Sequence, residues 1–304
     1  MNKQYIYESL LDILDNEDVK LDEPMKKHIS FRVGGPADIL VKPRTEEQLK
    51  DVLNLVKKEN VPYLVIGNGS NLLVKDGGLR GVVIKISDNY NQFEIEGNKV
   101  KIQAGTLLSF VGKAILRANL TGFEFAAGIP GTLGGALAMN AGAYGGEMKH
   151  IVKSVRLMDK EGNIFEFTNE QMEFEYRRSI LTREDYIVLS AELELKEGKF
   201  EEIKATMANF TQQRVTKQPL SLPSAGSTFK RPAGYFAGKL IEDSGLRGLT
   251  LRGAQVSEKH CGFVVNLGNA TAKDLLDLMY VVKSTVNAKF GVMLEEEVKI
   301  LGED

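Results

Sequence analysis

Apolar residues recur at helical spacing several times along the chain. In RTEEQLKDVLNLVKK, Leu49, Val52, Leu53 and Val56 fall on one helical face. Thr45 stands three residues before Gln48, the spacing at which a threonine hydroxyl and a glutamine side chain satisfy helix-start N–H groups reciprocally. Pro62 ends that helix, and YLVIG reads as a buried strand running straight into the polar turn GNGSN, residues 67–71. GVVIKI, residues 81–86, predicts a further apolar strand, so the first hundred residues read as a small α/β unit. At the N-terminus, MNKQYIYESLLDILDNEDVKLDEP sets Leu and Ile at helical spacing among acidic residues, with no basic stretch before an apolar core. It predicts a surface helix, not a signal peptide.

From about residue 87 to 200 the pattern shifts to short strands, KVKIQAG, SVRLMDKEG, IFEFT and IVLSAELEL, with one helix at LLSFVGKAILRANL. That is an α+β pattern. FEEIKATMANFTQQR, residues 200–214, predicts a linking helix, and QPLSLPSAGSTFKRPAG, with three of the eight prolines and no period, predicts a loop. A helix at YFAGKLIEDSG, a strand at CGFVVNLG, a helix from Thr271 to about Phe290 opened by Thr-x-x-Asp, and a last strand VMLEEEVKIL complete the chain. In that last strand Glu295 and Glu297 would share one face and Leu294, Val298 and Ile300 the other, so periodicity does not choose between the two glutamates. The expected domains are 1–86, joined by the C-terminal residues 298–304, then 87–203, then 204–297.

Composition narrows the partners. A 43% hydrophobic, 26% charged chain of net charge -2 lacks the surplus of Lys and Arg that nucleic acid or an anionic membrane surface attracts. No run approaches the roughly 18 apolar residues of a membrane span. The single cysteine, Cys261, excludes an internal disulfide and a cysteine-rich metal centre, and three scattered histidines argue against structural zinc. The expectation is a cytoplasmic protein with no metal.

The stretch GIPGTLGGALAMNAGAYGG, residues 128–146, carries seven glycines in nineteen residues. Glycine costs backbone entropy, and it is needed where a chain turns with positive φ or approaches another body closely. Successive N–H groups of a Gly-rich turn form a concave anion site, and a following helix start adds partial positive charge. GNGSN and GIPGTLGG are thus paired candidates to hold a pyrophosphate from two sides. Neither is a Walker A loop nor a G-x-G-x-x-G fingerprint, and either alone is also compatible with a tight turn between strands.

Six segments occur in order over nearly the whole chain: SFRVGGPADIL (30–40), VIGNGSNLLV (65–74), GIPGTLGGALAMNAGAYGGE (128–147), EYRRSIL (175–181), PSAGSTFKRP (223–232) and GVMLEEEVKILG (291–302). Together they resemble the UDP-N-acetylenolpyruvoylglucosamine reductases, the MurB family, in the shorter subtype that lacks a tyrosine-bearing insertion. The resemblance implies an α+β, three-domain flavoprotein: a vanillyl-alcohol-oxidase-type (PCMH-type) FAD-binding region plus a smaller α/β substrate domain. FAD would be held noncovalently, with NADPH as cosubstrate and a UDP-sugar as substrate. By the same resemblance the cofactor-binding residues are Gly67, Asn68, Gly69, Ser70 and Asn71 in the first glycine segment and Gly128, Pro130, Gly131, Thr132, Gly134, Gly135 and Ala136 in the second. Gly34 and Gly35 of FRVGG would join them on the adenine side.

The implied reaction is hydride delivery from flavin N5 to the methylene carbon of an enolpyruvyl ether, then protonation at the α-carbon; the flavin carries the hydride, and the protein supplies charge and a proton. Arg177 would stabilise the charge growing on the substrate carboxylate, because a guanidinium presents fixed donors to it. Arg178 is its neighbour; without the resemblance a double arginine reads as a solvated surface pair. Ser227 would be the proton donor, since the carbanion is basic enough for a well-placed hydroxyl; Ser224 is the decoy in the same loop. Glu297 would be the acidic partner, keeping its proton beside the substrate carboxylate because two like charges repel.

Lys217, Lys230 and Arg231 would bind the substrate; the resemblance favours Lys217 as the diphosphate contact, and many relatives carry asparagine where Arg231 stands, so a guanidinium would have to replace that amide in a different pose. His260 would line the same pocket or play a structural part. Two other readings compete. A flavoenzyme of small alcohols or lactones with tethered FAD would want a histidine or cysteine in a glycine segment, and neither segment has one. A nucleotide-sugar-binding module without chemistry would not need Ser227, Arg177 and Glu297 together.

Overall fold

Asn2 and Thr45 open the first two helices. Helix α1 (Lys3–Leu11) is capped by the Asn2 side chain, which accepts the Tyr5 N–H. In α2 (Glu46–Lys58) the Thr45 hydroxyl accepts the Gln48 N–H at 3.1 Å, while the Gln48 side chain reaches one residue further back, accepting the Arg44 N–H at 2.7 Å. Leu49, Val52, Leu53 and Val56 are all buried, as their spacing predicts. Removing each from water contributes about 1.5–3 kcal/mol. The computed structural model describes residues 1–304. They form two compact units: Met1–Leu21, Ile39–Asn68 and Gly81–Gln212 make the first, Asp22–Asp38, Gly69–Arg80 and Gln213–Asp304 the second.

The first unit is built on a five-stranded antiparallel sheet, ordered Ile164–Thr168, Val152–Met158, Ile187–Glu194, Lys99–Gln103, Phe93–Glu96. Val155 pairs with Ala191 and Ala191 with Ile102, so alternate residues point into one core. Helix α3 (Leu108–Arg117) adds Leu108, Val111 and Ile115, and the six-residue α4 (Leu133–Ala138) adds Leu133, Ala136 and Leu137. Tyr63–Ile66 runs parallel to Leu79–Lys85 and delivers the chain to the turn that begins at Gly67. Helix α5 (Phe200–Lys217) follows the sheet.

The second unit carries α6 (Ala237–Asp243), a short antiparallel meander of Thr250–Leu251, Ala254–Val256 and Val264–Asn266, and the long α7 (Ala272–Phe290). Thr271 and Asp274 form the reciprocal cap that Thr-x-x-Asp predicts. Asp76 adds a second cap, its two carboxylate oxygens accepting the Ala272 and Lys273 N–H groups at 2.9 Å each. An anion suits the partial positive charge of a helix start.

The last segment departs from the alternating strand. Only Lys299–Leu301 is strand, parallel to Leu72–Val74. Leu294 and Val298 are buried, but Ile300 is exposed. The reason is pairing at long range: residues 295–298 bond to the loop before α6, which bends them off a regular pleat. No helix is long and apolar enough to cross a membrane.

Candidate active site

The two glycine segments meet within the first unit. The Asn68 side-chain amide donates to the Pro130 carbonyl at 2.7 Å. A Cβ on Gly67 would lie 2.3 Å from the Thr132 hydroxyl oxygen, so only glycine lets these turns approach so closely. The second segment is held from beneath by residues 104–108: Leu108 N–H donates to Gly131, Leu133 N–H to Thr106, and Gly134 N–H to Ala104. Thr132 is the N-cap of α4, yet its hydroxyl does not cap the helix; it is buried and has no hydrogen-bond partner. An unmet buried hydroxyl costs about 1–3 kcal/mol, so its retention marks a place for an outside polar atom. Gly135 is exposed, and a Cβ there would meet no protein atom nearer than 3.8 Å. Packing within the protein gives no reason for that glycine, whereas close approach of a ligand does.

The Gly67 contact has a direct test. Gly67→Ala is expected to destabilise the protein by about 1–3 kcal/mol, as overpacking does. Adding Thr132→Ala should restore most of the loss, since the new Cβ then faces the residue 132 Cβ at 3.6 Å, an ordinary contact. Denaturant unfolding of the single and double variants measures both; a loss unchanged in the double variant would contradict the contact.

Arg177 sits at the tip of a tight turn in the same unit. Glu175 and Arg178 exchange backbone bonds of 2.9 and 3.2 Å, leaving Tyr176 and Arg177 between them. Arg177 adopts φ of 56°, a region non-glycine residues rarely occupy, and such strain of order 1 kcal/mol or more persists where surroundings impose it. Its guanidinium lies 5.2 Å from the Tyr176 ring centroid and donates to the Gly142 carbonyl at 3.5 Å. Arg178 is exposed and pairs with Glu175 at 2.5 Å. The turn is tied to the end of α4: Ser179 donates its hydroxyl to Ala138, and Asn140 its amide to Glu175. Asn140 lies inside the glycine-rich stretch and was not singled out from sequence; an asparagine among glycines, a residue type tolerant of positive φ, is the signal that marks it.

In the second unit Thr228 organises the serine loop. It donates its N–H to Gly262, accepts the Val264 N–H on its hydroxyl at 2.9 Å, and accepts the Glu297 N–H on its carbonyl at 2.9 Å. Gly226, at φ of 76°, turns the chain just before Ser227. The structure therefore brings the Ser227 and Glu297 backbones side by side, with Phe229 and Glu296 bridged next to them. The three consecutive glutamates have different surroundings. Glu295 is exposed and pairs with Lys230, whose hydrogen bond holds that carboxyl below the usual range. Glu296 pairs with Lys283 at 2.6 Å. Glu297 is half-buried, and its carbonyl accepts the Asn71 amide at 3.1 Å.

Among the other candidates in this unit, Gly34, Gly35 and Gly69 have tight packing of their own. An added Cβ would lie 2.7 Å from the Val74 carbonyl, 2.1 Å from that of Asp76 and 2.3 Å from that of His28. Lys217 ends α5 and is exposed. Arg231 stacks on Phe236, 3.9 Å from the ring centroid, with its Nε donating to the Tyr235 carbonyl at 3.3 Å. Burial holds the His260 imidazole below its ordinary range; Nδ1 accepts the Gly262 N–H at 3.0 Å and the ring stands edge-on to Phe263. A neutral ring anchored to the backbone beside Thr228's partner can shape the serine loop as well as touch a ligand.

Comparison with known proteins gives two family matches. Residues 37–168 match a model described as FAD binding domain, and residues 218–301 one described as UDP-N-acetylenolpyruvoylglucosamine reductase, C-terminal domain. The UDP-N-acetylenolpyruvoylglucosamine reductase of Clostridioides difficile (strain 630) is 73% identical over 304 residues, covering all of both chains. The crystal structure of the reductase from Thermus caldophilus superposes with a TM-score of 0.80 at 37% identity, covering 93% of this chain and 98% of that one. A Phl p 4 variant described as a glucose oxidase shares the fold over 64% of this chain, with a TM-score of 0.50 and 14% identity.

Proposed function

The chain belongs to the UDP-N-acetylenolpyruvoylglucosamine reductase family, and from that premise we propose how its residues divide the work of the reaction. It is an FAD-dependent oxidoreductase of peptidoglycan precursor synthesis, reducing the enolpyruvyl ether of UDP-N-acetyl-3-O-(1-carboxyvinyl)-glucosamine to UDP-N-acetylmuramate with NADPH as reductant. Bound FAD supplies the hydride.

Gly34, Gly35, Gly67, Asn68, Gly69, Ser70, Asn71, Gly128, Pro130, Gly131, Thr132, Gly134, Gly135 and Ala136 would hold the cofactor. The partnerless Thr132 hydroxyl and the open Gly135 support this assignment. Arg177 binds the substrate carboxylate and stabilises the charge that grows there once the methylene carbon has gained hydride. Its half-buried guanidinium suits the role better than exposed Arg178, already paired with Glu175. Ser227 then gives its hydroxyl proton to the α-carbon, and Glu297, kept protonated, donates toward the same carboxylate.

Thr228 is the observation that carries this division: one residue holds the Ser227 loop and the Glu297 backbone in register. Lys217, Lys230, Arg231 and His260 are assigned to the nucleotide sugar. Arg231 is stacked on Phe236, which leaves the edge of its guanidinium to donate to a phosphate. The lone buried Cys261 and a nicotinamide reductant fit work in the cytoplasm.

Anaerobic mixing tests the function. NADPH should bleach the flavin absorbance, and the enolpyruvyl nucleotide sugar should then restore it with release of UDP-N-acetylmuramate. A preparation that carries flavin, bleaches with NADPH and is not reoxidised by that sugar would refute the substrate.

A further inference from the structure

We propose that Asn140 is the positioning residue for Arg177: it couples the end of the glycine-rich segment to the turn that presents the guanidinium. This rests on the assignment of Arg177 to the substrate carboxylate. Asn140 is 1% exposed, at φ of 39°, two residues beyond α4. Every polar atom of its side chain is engaged. Nδ2 donates to Glu147 Oε2 at 2.9 Å and to the Glu175 carbonyl at 3.0 Å, while Oδ1 accepts the Lys149 N–H at 3.0 Å.

These bonds have different consequences. Those to Glu147 and Lys149 stay within residues 140–149 and close the ribbon in which Gly142 pairs with Glu147. The bond to Glu175 crosses to another segment, gripping the turn whose other end is Arg178. Arg177 lies between those ends, strained at φ of 56°, and its own bond returns to Gly142 at 3.5 Å. Ser179, fully buried, repeats the attachment by donating to Ala138 at 3.1 Å. Two side-chain bonds thus align the turn on the chain leaving α4. Only an amide can serve: a carboxylate at 140 would oppose Glu147 and could not donate to Glu175, and an aliphatic side chain would leave the Glu175 carbonyl with only the Arg178 N–H and take one donor from Glu147, which keeps the Lys149 ammonium.

The test uses FAD-loaded enzyme and follows each half-reaction separately. Asn140→Ala is expected to slow reoxidation by the enolpyruvyl sugar by about 10- to 100-fold, the range a small misplacement of a reacting group produces. Flavin content and bleaching by NADPH should match the parent. Because the residue acts through the guanidinium, Asn140→Ala/Arg177→Ala should be no slower than Arg177→Ala alone. Multiplied effects in the double variant, or equal slowing of both half-reactions, would overturn the proposal. Parent-like reoxidation in Arg177→Ala would instead remove the arginine's role, and this inference with it.

Should Asn140→Ala fold poorly, Asn140→Asp/Glu147→Gln separates stability from positioning. The exchange rebuilds the bond between 140 and 147 with donor and acceptor reversed, but removes the bond from residue 140 to the Glu175 carbonyl, which keeps only the Arg178 N–H. Thermal stability should return toward the parent while reoxidation stays at least about 10-fold slow. Recovery of both together would show that Asn140 is structural only.

Discussion

Replacing Ser227 by alanine is expected to leave the flavin fully reducible by NADPH while slowing its reoxidation by the enolpyruvyl sugar by about 10³- to 10⁴-fold, the upper part of the range for losing a positioned proton donor. The substitution removes one oxygen from a half-buried side chain, and the loop is held by its neighbour: Thr228 makes its bonds through its own backbone and hydroxyl. The loss should therefore be chemical, with unchanged flavin content and little change in stability. Hydride transfer and α-carbon protonation are successive demands on the substrate, so an enzyme lacking the donor holds charge on the substrate carboxylate with nowhere to send it. Ser224→Ala is the matched control, expected within about twofold of the parent as for substitutions outside the machinery. Reoxidation within about tenfold of the parent in Ser227→Ala would move the proton donor elsewhere.

Glu297→Gln is expected to slow reoxidation by about 10²- to 10³-fold. The side chains are nearly isosteric, and the bonds that fix residue 297, from its N–H to Thr228 and from the Asn71 amide to its carbonyl, are made by the backbone. Flanking carboxylates are neutralised by Lys230 and Lys283, so the position distinguished by substitution is 297 and not the local charge. The amide keeps the shape of the side chain but cannot give or take a proton, so the loss reads the acid's part in the reaction. Stopped-flow reoxidation of reduced enzyme across pH measures it; parent-like rates at every pH in Glu297→Gln would exclude the role.

Much of the architecture was legible along the chain. The α2 face of Leu49, Val52, Leu53 and Val56, the caps at Thr45 and Thr271, and the strands at 63–66, 99–103, 152–158, 164–168 and 187–194 are interactions within a turn or along a pleat. Such features are encoded by neighbours three or four positions apart, or two along a strand. The glycine segments, the EYRRS turn and the serine loop could be named because each is a short run that carries part of the family resemblance.

Relations across long separations had to wait for the fold. Periodicity could not separate Glu295 from Glu297; only the fold shows that Glu295 pairs with Lys230, Glu296 with Lys283, and that the Glu297 N–H donates to Thr228. The expected regular strand at 292–301 shrank to Lys299–Leu301, because bonding to the serine loop outweighed local alternation. Nothing within five residues of Thr132 says that its hydroxyl turns away from its helix toward Gly67, or that Asn140 reaches Glu175. Sequence alone thus determined the local elements and which residues the family resemblance proposes for the chemistry, since caps, faces and motifs are short-range. Tertiary structure decided which way each one faces and what holds it there, since those bonds join residues that only folding makes neighbours.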